Sequence, residues 1–265
     1  MNTRLGTVGC WIFLLLAMKG PAQSLKTAPD SDAPSAAQIA ELVLANHILA
    51  SEGVIDAYGH VSVRSEKNPS HFLLARHLPA GVVTADDIIE YDLDTKPVHD
   101  TTATGYSERF IHGEIYKVRP DVKAVVHLHT PDLIPFTVTS VPLRPIIHMA
   151  GFLPAVTPNF EIRKTAGMTD MLIRTNALGH ALAETLGDKP VALMRGHGAV
   201  VVADSLHVVA GRSYYLGVNA RIQAQAIQLG AGNVTYMDPE EGRKSGAQDG
   251  FERAWTFWKS KQEKK

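Results

Sequence analysis

Residues 124–130 read AVVHLHT, and this stretch decides how the chain is put together. Side chains of a β-strand alternate between faces, so His127 and His129 project one way together with Val125. Ala124, Val126 and Leu128 project the other way and make an apolar face suited to burial. Two imidazoles side by side at a strand end form half of a metal site, because histidine offers divalent ions a neutral nitrogen without a large pKa change. The same spacing also occurs in solvated or hydrogen-bonded histidine pairs, so its surroundings decide the reading.

Upstream, residues 108–118 (ERFIHGEIYKV) place Phe110, Ile111, Ile115 and Val118 on one helical face, with Ser107 as the expected N-cap and Pro120 and Asp121 as the stop. Glu108 stands at the helix start, where the dipole favours an ionised carboxylate. Downstream, the apolar strand 191–194 runs into Arg195-Gly196-His197-Gly198, and a second strand, 199–203, leaves it. Flanking glycines let the chain bend sharply and leave the His197 ring unobstructed. A catalytic divalent ion commonly takes three protein ligands and keeps open positions. His127, His129 and His197 supply that count, with Glu108 as a fourth ligand or a base. His112 lies on the same helical side as Glu108, whereas His60 and His148 line the site or pack.

Elsewhere the spacing predicts a helix over 36–52 with His47 on its face, strands over 58–64 and 72–75, and a short helical turn entering a strand over 86–92. Prolines 131, 135, 142, 145, 154 and 158 divide the next segment, with strands expected at 138–141 and 146–149. Helices follow over 175–186 and from Asp204-Ser205 to about 229. Near the end, Phe251, Trp255 and Trp258 make one helical stripe, which docks on its own core or on a partner subunit.

Together, GHVSVR (59–64), SERFIHGEIYKVRPDVKAVVHLHTP (107–131) and RGHG (195–198) resemble the class II aldolase/adducin family, which includes fuculose-phosphate aldolase and ribulose-phosphate 4-epimerase. The resemblance covers about residues 36–230, within a domain set at 36–235. It implies an α/β/α layered single domain around a mostly antiparallel sheet, and a homotetramer with active sites at subunit interfaces. It further implies Zn²⁺, or Mn²⁺ or another divalent ion, on His127, His129 and His197, with Glu108 as metal ligand and acid/base. The reaction it implies is carbon–carbon bond cleavage of a small-molecule substrate through a metal-stabilised enediolate or enolate.

The chain departs from the aldolase pattern where a sugar phosphate would bind: His60 replaces an asparagine, Arg76-His77 a serine-glycine pair, and of a serine pair only Ser107 remains. A phosphate needs several backbone and hydroxyl donors. The loop LLARHLPAG (73–81) is similar instead to family members that decarboxylate hydroxylated aromatic carboxylates, with Arg76 or Arg195 as a carboxylate clamp and His60, His77 and Ser107 as further substrate contacts. A sugar-phosphate aldolase or 4-epimerase is the alternative, and a non-catalytic adducin-like binding module the second.

The chain has 265 residues, 45% hydrophobic and 20% charged, which is ordinary for a globular protein. Residues 1–22 combine Arg4, the apolar run CWIFLLLAM (10–18) and the small-residue stretch Gly20-Pro21-Ala22, and read as a secretory signal peptide. The run is shorter than the roughly 20 residues that span a bilayer. Export to a periplasm is therefore expected, with an uncleaved anchor as the alternative, and no stable membrane insertion once the signal is removed. Residues 23–35 are a flexible lead-in, and 236–265 a charged tail carrying the amphipathic helix. Losing Arg4 and Lys19 takes the formal net charge from −1 to −3, with no basic run before the last residues. Nucleic-acid binding is thereby disfavoured. The single cysteine, Cys10, lies in the signal, so metal binding falls to histidine and carboxylate.

Overall fold

The computed structural model describes residues 1–2, 33–245 and 250–264. Nearly all of the expected signal peptide and of the lead-in lies outside them. In chain order the main elements are α1 (Ala36–Ser51), β1 (His60–Arg64), β2 (His71–Ala75), β3 (Ile88–Asp92), α2 (Phe110–Val118), β4 (Ala124–Leu128), α3 (Ile134–Val138), β5 (Asn159–Phe160), α4 (Arg163–Ala166), α5 (Asn176–Leu186), β6 (Val191–Met194), β7 (Gly198–Ala203), α6 (Leu206–Leu229), α7 (Pro239–Lys244) and α8 (Glu252–Gln262).

The strands form one sheet in the order β3-β2-β1-β4-β7-β6-β5. Every pairing is antiparallel except β5 with β6. The mostly antiparallel α/β/α architecture is thus as expected. Its middle is β1-β4-β7, with His60 opposite His127 and His127 opposite Val200. Alternation sorts the two faces. Val61, Val63, Ala124, Val126, Leu128, Ala199 and Val201 pack under α1 and α6 on one side. Phe72, Leu74, Val125, Ala192, Val200 and Val202 pack with Ile111 and Ile115 of α2 and Leu182 and Leu186 of α5 on the other. Each fully buried Val or Leu contributes about 1.5–3 kcal/mol.

The proline-divided segment differs from expectation. Val138 closes the short helix α3, residues 139–147 are irregular, and His148–Ala150 form a 3₁₀ turn, so neither expected strand exists. Proline denies a strand its ladder donor. The strand actually contributed is β5, which is only two residues long. The expected Ser107 cap also differs: α2 begins at Phe110 after Arg109, with no side-chain cap bond, and residues 107–109 form a turn. At the far margin, residues 96–98 fold back along β3, with Asp92 N–H bonded to Lys96 O, Val98 N–H to Glu90 O, and Pro97 bridged to Tyr91. The C-terminal stripe docks on its own chain, where Trp258 is buried against the core beneath α1 and α6. No helix among the described residues is long and apolar enough to cross a membrane.

Candidate metal centre

β4 and the β6–β7 turn bring three imidazoles to one end of the sheet. His127 is in the strand, His129 just beyond it, and His197 in the turn, where Gly196 has φ +62°. At Gly198 a Cβ would stand 2.0 Å from the Leu128 carbonyl oxygen, so only glycine lets the turn close this tightly on β4. His127 Nε2 and His129 Nε2 are 2.9 Å apart, and His129 Nε2 and His197 Nε2 are 3.2 Å apart. Glu108 Oε2 reaches in from the turn before α2, 3.6 Å from His127 Nε2 and 3.5 Å from His197 Nε2. Ligands held 2.0–2.2 Å from one ion at ordinary angles stand about 3.0–3.6 Å apart, which is this spacing.

The outer nitrogens explain why the inner ones are free to bind. His127 Nδ1 meets the Ala199 carbonyl at 3.1 Å, His197 Nδ1 the Met171 carbonyl at 3.1 Å, and His129 Nδ1 the Asp56 carboxylate at 3.4 Å. These partners can only accept, so each Nδ1 carries the proton and each Nε2 presents a lone pair. Three lone pairs and a carboxylate converging on one point suit a divalent cation. Burial and the neighbouring His127 and His197 push His129 down to about 4, so it is neutral near pH 7. Burial opposes ionisation of Glu108, but when the His127 and His197 rings carry a second proton their hydrogen bonds and positive charge outweigh it and hold the carboxyl well below the usual range. Its other oxygen accepts the Ile173 N–H at 2.8 Å. Met171, which orients His197, has φ +65°, a conformation of order 1–3 kcal/mol for a residue with a side chain.

A cleft of about 350 Å³ opens on this cluster. His60, His77 and Ser107 line it, as do Tyr58 and Tyr106, with residues 170–172 facing them. Arg76 and Arg195 are not brought to its walls. Arg76 Nε is bound to Asp87 at 2.6 Å, and Arg195 Nε to Glu161 at 2.7–2.8 Å. A clamp was expected of them; each instead pairs through its Nε with a neighbouring acid away from the cleft walls. His112 lies behind the site, bonded to His60, and His148 is exposed and away from the cleft walls. Sequence reasoning did not single out Asp56, Tyr58, Tyr106 or the 170–172 segment. Only the tyrosines' closeness to His60 and Ser107 along the chain hinted at them.

The chain belongs to the class II aldolase and adducin family: the family described as Class II Aldolase and Adducin N-terminal domain matches residues 40–224. It is 36% identical to decarboxylase tropJ of Talaromyces stipitatus over 85% of this chain and 94% of the relative. It is 30% identical to a 3,4-dihydroxyphthalate decarboxylase of Arthrobacter keyseri, over 71% of this chain and 78% of that one. Among solved structures, an aldolase II superfamily protein from Pseudomonas syringae superposes with a TM-score of 0.73 at 23% identity, covering 90% of this chain and 95% of that one. The protein is a metal-dependent lyase acting on a small molecule, and Glu108, His127, His129 and His197 are the residues able to hold its divalent ion.

Proposed function

We propose that the protein decarboxylates a hydroxylated aromatic carboxylate. The observation that carries this reading is the make-up of the cleft. Beside the metal-ligating set stand the rings of Tyr58, His60, His77 and Tyr106, and no lysine or arginine is among the described lining residues. Flat π-faces suit a planar substrate, whereas a phosphate dianion calls for cations or a nest of backbone donors. The ring centroids of His60 and His77 lie 4.5 and 5.7 Å from that of Tyr106, giving one continuous aromatic wall. Both decarboxylase relatives support the same reading.

A bound divalent ion would act as a Lewis acid, drawing off the negative charge that develops as the carbon–carbon bond breaks. Glu108, held as a carboxylate, takes the proton of the substrate hydroxyl. When CO₂ leaves, its bonding electron pair stays on the ring carbon, and Glu108 returns a proton there. Tyr58 and the 170–172 segment border the cleft.

The test is CO₂ release by zinc- or manganese-loaded protein from 3,4-dihydroxyphthalate and a panel of hydroxybenzoates, beside cleavage of fuculose 1-phosphate. CO₂ from the aromatic acids without aldol cleavage is expected. Aldehyde formation from fuculose 1-phosphate with no CO₂ from any acid would overturn the reading. From the pattern of residues 1–22 and the family resemblance we also propose export and a homotetramer. N-terminal sequencing at Gln23 and light scattering test these.

A further inference from the structure

His60 is joined to a chain of buried polar groups that the metal chemistry does not use. Its Nδ1 lies 2.7 Å from His112 Nε2, His112 Nδ1 lies 2.6 Å from Ser62 Oγ, and Ser62 Oγ lies 2.8 Å from the Tyr116 hydroxyl. All four side chains are essentially shut off from solvent. His60 and Ser62 share one face of β1, and His112 and Tyr116 are four residues apart on α2, so two elements facing each other build the row. His60 Nε2 has no partner among the described residues and is not among the buried atoms lacking one, so it opens on the cleft beside Glu108, His129 and His197.

Neither His60 nor His112 has a carboxylate within hydrogen-bonding reach among the described residues, so both rings are neutral and one proton lies between them. The inner end of the row decides which ring owns it. The Tyr116 hydroxyl has two possible acceptors. The Lys123 carbonyl is 3.4 Å away and already takes the Arg64 N–H at 2.7 Å, whereas Ser62 Oγ is at 2.8 Å. Tyr116 therefore donates to Ser62, Ser62 to His112 Nδ1, and His112 Nε2–H to His60 Nδ1. Each group has one proton to give, and the direction runs outward.

We infer that Tyr116, Ser62 and His112 fix His60 as the Nε2–H tautomer, making it a neutral hydrogen-bond donor that selects substrates carrying an anionic oxygen next to the metal site. A lone pair at the same place would instead select a protonated hydroxyl. Tyr116, Ser62 and His112 are positioning residues, and His60 is the group that meets substrate. The inference rests on the decarboxylase reading for its substrate class, a hydroxylated aromatic carboxylate, but not for the tautomer.

Long-range ¹H–¹⁵N NMR of zinc-loaded, ¹⁵N-histidine-labelled protein reads the tautomer directly, with His60 assigned through its contact with the Tyr106 ring. Binding of salicylate is measured on the same sample by calorimetry. The expected result is a single His60 signal protonated at Nε2. Ser62→Ala should mix its tautomers and weaken salicylate about tenfold at unchanged zinc content. His60→Phe should weaken salicylate as much, and His60→Gln, which restores an N–H donor, should recover most of the loss. A wild-type His60 protonated at Nδ1 overturns the inference, even if Ser62→Ala fails to fold. So does a Ser62→Ala protein with unmoved tautomer and affinity. An Nε2–H tautomer in a protein that releases no CO₂ leaves the inference standing and removes the decarboxylase reading instead.

Discussion

The Glu108 carboxylate is engaged at both oxygens, by the Ile173 N–H on one side and by His127 and His197 on the other, so glutamine in its place changes charge with little change of shape. Turnover of Glu108→Gln should fall about a hundredfold or more while melting temperature and metal content stay close to wild type, as stopped CO₂ assays and metal analysis would report. His112 gives a second prediction. Burial, helped by His127, pushes it from 6.5 down to about 3 in the folded chain. A depressed folded pKa means that the unfolded chain binds the extra proton. Stability is therefore full above about pH 6.5 and declines as pH falls towards 3, by about 1.4 kcal/mol per pH unit for such a group. Urea midpoints at pH 6.5 and 5.0 should separate more in wild type than in His112→Gln. The strand histidines of the cluster were legible because a strand's period of two places His127 and His129 together whatever the rest does. Asp56 and Met171 were not, because they meet His129 and His197 across long stretches of chain that no local spacing encodes.

At the level of elements, alternation in β4 told the apolar face correctly, with Ala124, Val126 and Leu128 in one core layer, since the strand is covered on both sides and every residue has a fixed place. The proline-rich segment misled because short apolar runs read alike in a strand and in a packed loop. Only neighbours decide, and here those neighbours are distant: Asn219 and Gln223 of α6 bond the backbone of residues 142–147. The same limit applied to α8, whose stripe fitted a partner as well as its own core. With Trp258 4% exposed and set against Tyr214, Trp258→Ala should destabilise the protein by about 3 kcal/mol in chemical denaturation. An unchanged midpoint would mean that the stripe serves another surface.

Across the whole molecule, the four residues able to hold a metal span positions 108 to 197 and meet only when β4 and β7 pair. The unfolded chain has no such site, so metal binding and folding are linked. Free ion at a hundred times its dissociation constant adds about 2.7 kcal/mol. For a chain of this size, chelation should lower the melting temperature by about 5–10 °C, and added zinc should restore it. Calorimetry with and without a chelator checks this, and no shift would mean that the cluster holds no ion. The sheet's two margins bear on a different matter. On one, β5 offers two residues of backbone; on the other, the Asp92 N–H and the Glu90 carbonyl are already engaged by the fold-back through Pro97. Neither gives a foreign strand much to add to, so even at high concentration the folded protein should resist recruitment into cross-β fibrils.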